Sequence, residues 1–221
     1  MFKPLLTMAA AAILLTACTT NPYTGEREAS NKAKGAGIGA VVGALLGVAT
    51  GKDADDRRKR ALIGAGVGAL AGTAVGAYMD AQENKLRQQL QGSGVSVTRM
   101  GDDLILNMPG NITFDVDRTD LRGDFIPVLD SVSLVLKEFD KTLIDVTGHT
   151  DSTGALAHNM DLSERRATCV ATYLRATGVD SLRVFTTGVG PNYPIAENST
   201  ASGRQQNRRV ELILKPLTNT G

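Results

Sequence analysis

A carboxylate and a guanidinium are the two groups of this sequence best placed to bind a ligand. Asp151 lies in the stretch Gly-His-Thr-Asp-Ser-Thr-Gly at residues 148–154, and Arg166 lies in the segment that follows. Residues 143–147 have the β-branched alternation of a strand, which Gly148 ends. The strand therefore delivers Asp151 at its carboxyl end.

The segment after residue 154 has the periodicity of a helix with two faces. Its apolar positions recur at helical spacing and form one face, whereas Asn159, Ser163 and Arg166 form a separate polar stripe. The apolar positions are Ala167, Val170, Ala171 and Leu174. We expect Arg166 to face Asp151 across a small cleft.

Such a pair of charges suits a zwitterionic ligand. Asp151 would hold an ammonium through a charge-assisted bond, and the planar fork of Arg166 would hold a carboxylate bidentately, which a lysine cannot do. The alternative is an internal Asp151–Arg166 ion pair that links strand to helix.

Composition excludes one class of partner. The chain has 221 residues with 24 Lys and Arg against 23 Asp and Glu, so it lacks the basic excess that phosphate binding requires. Nucleic acid is therefore not expected as a partner. Its two cysteines, Cys18 and Cys169, lie in such different contexts that no disulfide is expected.

The first residues have the pattern of an export signal. Lys3 precedes an apolar run at residues 5–15, which is too short to span a bilayer. The run ends in Leu-Thr-Ala-Cys at residues 15–18, which resembles a bacterial lipobox. The resemblance implies a signal peptide at residues 1–17 and an acylated Cys18 that binds outer-membrane lipid. An ordinary signal peptide with a chance cysteine is the alternative. Residues 18–34 then form the lipidated start and a linker.

Glycines recur at every fourth position in residues 35–79. The repeat has two segments with an interruption between them: the first holds Gly35, Gly39, Gly43, Gly47 and Gly51, and the second holds Gly64, Gly68, Gly72 and Gly76. On a helix they form a flat seam where a second helix can approach closely. With a charged turn at residues 52–60, the pattern predicts an antiparallel glycine-zipper hairpin. Membrane insertion or membrane-associated homo-oligomerisation is favoured over a soluble hairpin. Residues 80–92 are predicted to be a helical spacer.

Residues 93–217 are predicted to form a soluble domain. The expected fold is α+β, a two-layer α/β sandwich of βαβαβ order with a further strand, behind the helical hairpin. Strands are predicted at 95–100, 104–108, 112–117, 143–147, 183–187 and 209–215, and helices at 125–139 and 155–176.

Three ordered motifs in this domain resemble the peptidoglycan-binding C-terminal domain family of OmpA. The first is the stretch at residues 148–154, and the second is Asn159-x-x-Leu162-Ser163-x-x-Arg166-Ala167. The third is Asn-Arg-Arg-Val-Glu at residues 207–211, and the resemblance spans roughly residues 112–214. With the lipobox and the glycine repeat in front, the whole chain resembles outer-membrane lipoproteins that carry a glycine zipper.

The resemblance implies a ligand and a set of contacts. The family binds the diaminopimelate of peptidoglycan, whose side-chain end is an amino acid zwitterion. Asp151 would bind its ammonium and Arg166 its carboxylate, with Arg208 as a further carboxylate contact. The remaining implied contacts are Thr150, Asn159 and Leu162 in the cleft and Asp115 or Asp117 from the first strand.

No catalysis, metal or cofactor is expected. Ser152 and Ser163 lack a base, and His149 is interpreted as structural; a His149, Asp151 and His158 metal site is the disfavoured alternative. The sequence therefore predicts a lipoprotein that links the outer membrane to the cell wall without covalent attachment. The alternative is an oligomeric glycine-zipper element of envelope assembly or permeability, with the soluble domain only as its wall anchor.

Overall fold

The structure is a computed structural model of the chain. It describes residues 51–64, 68–71, 74–115 and 118–218. Cys18, Asp117 and the first segment of the glycine repeat up to residue 50 lie outside the described residues.

The described residues form helices and strands in mixed order. The helices are α1 (Gly51–Gly64), α2 (Ala74–Gln89), α3 (Gly110–Thr113), α4 (Ile126–Glu138), α5 (Leu156–Ala176) and α6 (Ala201–Asn207), with a 3-10 turn at Ser181–Arg183. The strands are β1 (Ser96–Met100), β2 (Asp103–Pro109), β3 (Thr142–His149), β4 (Val184–Gly190) and β5 (Arg209–Pro216).

The five strands make one mixed sheet in the order β1-β2-β5-β3-β4. β3 pairs antiparallel with β5 and parallel with β4, and all eight of its residues are buried. A parallel pair needs a long crossover, which α5 supplies between β3 and β4. This strand-helix-strand unit places the end of β3 beside the start of α5.

The main core lies between the sheet and helices α2, α4 and α5. Leu129 of α4, Val170 of α5 and the strand residues Val146 and Leu212 are all fully buried in it. The helices follow the predicted apolar spacing because each buries one stripe against the sheet. The predicted α+β class and the two-layer packing are confirmed.

Helix α2, which overlaps the segment predicted to be a helical spacer, packs against this core. Met79 and Leu86 are fully buried, and the Tyr78 hydroxyl accepts a hydrogen bond of 2.9 Å from the backbone N–H of Lys141. The ring of Tyr78 also meets Phe139 edge to face at 5.3 Å. The composition of this helix is polar on average, but its apolar residues form a narrow stripe on one side, and that stripe packs against the core.

The prediction of a strand at residues 112–117 is wrong. The chain makes the helical turn α3 instead, and Phe114 after it forms an isolated bridge with Leu121. The turn forms because the Thr113 hydroxyl donates to the carbonyl of Pro109 at 2.9 Å, while the backbone N–H of Gly110 donates to the carbonyl of Arg208 at 2.8 Å. This turn brings Phe114 and Asp115 toward the start of β5.

The charged segment predicted as a turn at residues 52–60 lies within helix α1. Alanine, arginine and lysine favour a helix. Arg58 pairs with Asp145 at 3.4 Å, and its guanidinium carbon lies 4.2 Å from the centroid of the Phe185 ring. Leu62 is buried with Leu143. Helix α1 therefore packs on the sheet.

The second glycine segment is not one continuous helix. Leu70 forms a parallel bridge with Thr218, and its backbone N–H donates to the carbonyl of Leu217 at 2.7 Å. Of the helices in residues 51–218 that the structure describes, none is both long enough and apolar enough to cross a bilayer. Membrane insertion and oligomerisation of the zipper stay predictions.

Candidate functional site

A cavity of about 570 Å³ opens at the carboxyl end of β3. It lies among α3, the loop after β3, the first turns of α5 and the end of α6. Every predicted ligand contact within the described residues lines it. These are Asp115, Thr150, Asp151, Asn159, Leu162, Arg166 and Arg208.

Two glycines let α5 lie directly on the sheet beside this cavity. A Cβ at Gly148 of β3 would lie 2.0 Å from the carbonyl oxygen of Ser163, and a Cβ at Gly188 of β4 would lie 2.4 Å from the backbone nitrogen of Glu164. The Gly190 N–H also donates to the Ser163 hydroxyl at 2.9 Å. The glycine that opens the 148–154 motif therefore sets the distance between strand and helix.

Asp151 is held as a buried carboxylate. It is 7% exposed; one oxygen accepts from the backbone N–H of Thr153 at 2.8 Å and the other from Nη1 of Arg208 at 2.5 Å. Burial opposes its ionisation, but these two bonds outweigh burial and hold the pKa of Asp151 below its ordinary value. Its ion-pair partner is Arg208, so the predicted alternative of an Asp151–Arg166 pair is not what forms.

Arg166 presents a buried guanidinium on the cavity wall. It is 5% exposed, its Nε donates to the carbonyl of Arg118 at 3.0 Å, and its Nη2 donates to the carbonyl of Asp115 at 3.4 Å. The guanidinium carbon lies 5.1 Å from the centroid of the Phe114 ring. These contacts fix the plane of the guanidinium, and a fixed plane favours bidentate binding of a carboxylate.

Thr150 and Asn159 order the wall between the two charges. The backbone N–H of Thr150 donates to the carbonyl of Gly190 at 3.0 Å, whereas its buried hydroxyl has no hydrogen-bond partner in the part of the chain that the structure describes. Asn159 Nδ2 donates to the carbonyl of Thr153 at 2.9 Å, which ties the loop to α5. The buried Thr150 hydroxyl is available to a ligand polar group.

The outer residues of the cavity are more exposed. The Arg208 side chain is 41% exposed and that of Asp115 is 60% exposed. The Asp115 carboxylate binds Arg122 at 3.0 Å. Asp115 therefore contributes a backbone carbonyl to Arg166, while its carboxylate makes a surface ion pair.

Sequence reasoning missed several residues of the cavity wall. Phe114 was assigned to a strand, although an aromatic side chain directly before Asp115 was a usable signal. Arg204 was another such signal, because it lies four residues before Arg208. At helical spacing the two side chains are on the same side of the chain at the end of α6. The other missed residues are Gly110, Asn111, Thr153, Gly154 and His158.

His149 lies next to the cavity but behind it. It is 1% exposed, and its Nε2 is 3.7 Å from Oε2 of Glu211. The other carboxylate oxygen of Glu211, Oε1, accepts a hydrogen bond from Nε of Arg209 at 2.7 Å. Burial lowers the pKa of His149, so the ring is neutral at neutral pH. Among the described residues, His149, Asp151 and His158 do not gather into a metal-binding cluster.

Comparisons with known proteins identify families and structures similar to this chain. The OmpA family model matches residues 113–208, and a YMGG-like Gly-zipper model matches residues 1–80. The peptidoglycan-binding protein ArfA of Mycobacterium tuberculosis is 39% identical over 105 residues, which are 48% of this chain and 32% of that protein. The structure of the cell wall anchor of the T6SS from Pseudomonas aeruginosa aligns with a TM-score of 0.55 at 30% identity, over 61% of this chain and 99% of that one.

One relative matches along nearly its whole length. The probable lipoprotein YiaD of Escherichia coli is 53% identical over 206 residues, which are 93% of this chain and 94% of that protein. The resemblances to the OmpA family and to a zipper-bearing lipoprotein are confirmed. The chain therefore belongs to the family of the probable lipoprotein YiaD and carries an OmpA-family domain at residues 113–208.

Proposed function

We propose that the chain is an outer-membrane lipoprotein that binds peptidoglycan through the cavity at the end of β3. The observation that carries the proposal is the presence of a buried carboxylate, Asp151, and a buried guanidinium, Arg166, on the wall of one cavity. Two buried charges of opposite sign there match a zwitterion better than a neutral or singly charged ligand. The names of ArfA and of the T6SS cell wall anchor support the same class of ligand.

The ligand group that fits is the zwitterionic end of diaminopimelate. Its ammonium binds Asp151, and its carboxylate binds the fixed fork of Arg166. The ammonium competes with Arg208, which now donates to Asp151. Because the Arg208 side chain is 41% exposed, it can move and bond to the ligand carboxylate instead.

Attachment to the membrane is assigned to acylated Cys18, with residues 18–34 as linker and the domain in the periplasm. The lipoprotein name of the Escherichia coli relative supports this assignment. Several acyl chains exceed the two signals that stable anchoring requires. One polypeptide then joins membrane lipid to the cell wall.

Binding rather than catalysis is the proposed activity. The Ser163 hydroxyl donates to the carbonyl of Met160 at 2.8 Å and accepts from Gly190, so it is committed to structure. The neutral His149 is 1% exposed behind the cavity and does not line it. A hydrolase needs a nucleophile with its base on the cavity wall.

Co-sedimentation with purified sacculi tests the proposal. Asp151→Asn and Arg166→Lys should each lose sedimentation by tenfold or more, since a hydrogen bond to a charged group is worth about 1.5 to 3 kcal/mol. Asp161→Asn and Arg165→Lys are matched controls, because both residues are exposed on α5, the helix that carries Arg166. Walls that carry lysine in place of diaminopimelate should not bind. Equal sedimentation of all variants would overturn the proposal.

The glycine-zipper match supports a second, separable role in self-association. Removal of residues 35–50 leaves α1, α2 and the cavity intact in sequence. This deletion should spare wall binding and abolish homo-oligomers, measured by light scattering in detergent. Unchanged oligomer size would exclude the zipper as the interface.

A further inference from the structure

A second groove, of about 380 Å³, adjoins the cavity and shares the residue Asn111 with it. We call it the amide groove, because carboxamide side chains dominate its polar lining. We propose that it binds an uncharged secondary amide of the same wall fragment whose zwitterionic end occupies the cavity. This inference rests on the proposed function. The groove is lined by Gly94, Asn107, Pro109, Asn111, Ile112, Ile195, Ser202, Gln205 and Gln206.

The polar side chains of the amide groove have unused hydrogen-bonding capacity. Oδ1 of Asn107 is buried and has no hydrogen-bond partner within the described residues. A buried acceptor without a partner costs about 1 to 3 kcal/mol, so such an atom calls for a ligand or another donor. Asn111, Gln205 and Gln206 surround the groove as exposed carboxamides.

The chemistry of these groups selects a secondary amide. A carboxamide offers a donor and an acceptor, so it pairs with both the C=O and the N–H of an amide. The lining residues in the described part of the chain carry no charge, which disfavours an ionic ligand. Ile112, Ile195 and Pro109 add apolar surface that suits a methyl group. An amide next to a methyl occurs in N-acetyl amino sugars and in alanine-containing stem peptides.

The two depressions are close enough for one ligand to reach both. Their common wall is the contact between α3 and the end of α6, where the Gly110 N–H donates to the carbonyl of Arg208 at 2.8 Å. A Cβ at Gly110 would lie 2.8 Å from that same oxygen. The wall is therefore thin because position 110 has no side chain, and Asn111 reaches both sides.

Calorimetric titration of the full-length chain in detergent with three probes tests the inference. The probes are free diaminopimelate, a diaminopimelate-containing stem tripeptide, and the same tripeptide joined to its N-acetylated disaccharide. Gln205→Ala and Gln206→Ala should each weaken binding of a larger probe about fivefold, as the loss of a hydrogen bond predicts, and leave free diaminopimelate unchanged. Gln88→Ala, an exposed glutamine on α2, is the matched control.

The outcomes separate the amide source from the proposal itself. If the Gln205→Ala and Gln206→Ala variants bind both larger probes more weakly, the amide belongs to the stem peptide. If they bind only the disaccharide probe more weakly, the amide belongs to the sugar. Ser202→Leu, at an exposed lining position, should give the same pattern by blocking the groove. Unchanged affinity of all three variants for every probe would overturn the amide groove and leave the cavity proposal standing. Failure of the unsubstituted chain to bind free diaminopimelate would overturn the cavity proposal.

Discussion

Substitution of Gly148 by alanine tests whether the close contact between β3 and α5 sets the geometry of the cavity. The added Cβ would lie 2.0 Å from the carbonyl oxygen, 2.8 Å from the carbonyl carbon and 3.2 Å from the Cα of Ser163. Ordinary contacts begin near 3.4 Å. Because all three atoms belong to the backbone of a helix, no side-chain rotation relieves the clash. Strand and helix must separate by more than an ångström.

Separation of β3 from α5 changes both stability and binding. Overpacking of a well-packed core costs about 1 to 3 kcal/mol, and the backbone clash puts Gly148→Ala at the upper end, near 3 kcal/mol. Asn159 and Arg166 lie on α5, whereas Asp151 follows β3, so the two charges shift relative to one another. Productive contacts tolerate displacements of only about 0.5 Å. Affinity for diaminopimelate should therefore fall by about tenfold or more.

The measurements are urea unfolding followed by circular dichroism, and calorimetric titration at a temperature where the variant is folded. Gly123→Ala is the matched control, because a Cβ there meets no atom within 4 Å. Gly148→Ala should unfold at lower urea and bind weakly while folded. If both variants matched the unsubstituted chain in midpoint and affinity, the contact would not control the cavity.

Three further predictions concern stability, each measured by urea unfolding. Leu86→Ala should lower the free energy of unfolding by about 2 to 5 kcal/mol, because this fully buried side chain joins α2 to the core. A loss below about 1 kcal/mol would show that α2 does not stabilise the core and would favour the spacer prediction. Gly76→Ala should raise the free energy of unfolding by up to about 1 kcal/mol, since a Cβ at this position of α2 meets no atom within 4 Å. A lower free energy of unfolding would show that the glycine is needed for packing. Burial raises the pKa of Asp103 to about 6. Asp103→Asn should therefore stabilise at pH 7 by up to about 3 kcal/mol, and a gain that persisted below about pH 4 would refute this origin.

The sign of the Asp103 effect follows from proton linkage. The folded state binds the Asp103 proton more tightly than the unfolded state, so the native protein loses stability as the pH rises through about 6. The effect of Asp151 on stability has the opposite pH dependence, because the pKa of Asp151 is lowered on folding. The stabilisation that Asp151 contributes is present at pH values above the ordinary pKa of a carboxyl group. It is lost as the pH falls through the lowered pKa.

The elements that the sequence predicted well are those whose pattern is local. Helices α4 and α5 and the β1–β2 hairpin were expected within a few residues of their observed bounds, because a single stripe or alternation specifies each. Helical turn α3 was missed because it depends on a contact with Arg208, far along the chain. The docking of α2 was missed because its mean composition is polar, although Met79 and Leu86 mark its buried side.

The residues of the candidate site also divide into those that a local sequence pattern predicted and those that it did not. Asp151, Asn159 and Arg166 come from one strand-loop-helix unit, so their spacing alone brought them to one cavity. Arg208 and Asp115 were found only through the family resemblance, since the fold brings them from other elements. Phe114 and Arg204 belong to the same wall but lie in segments whose structure the sequence pattern did not predict.

The positions of α1 and the cavity along β3 explain how the fold could carry load under the proposed function. Helix α1 contacts Leu143 and Asp145 near the start of the strand, whereas Asp151 follows its end, about 20 Å away at 3.3 Å per residue. Tension between the membrane and the wall would then run along β3. That strand pairs with β5 over all eight of its residues and with β4 on its other side. A force along the strand would load these hydrogen bonds in parallel, so the central position of β3 suits it to join the two attachments.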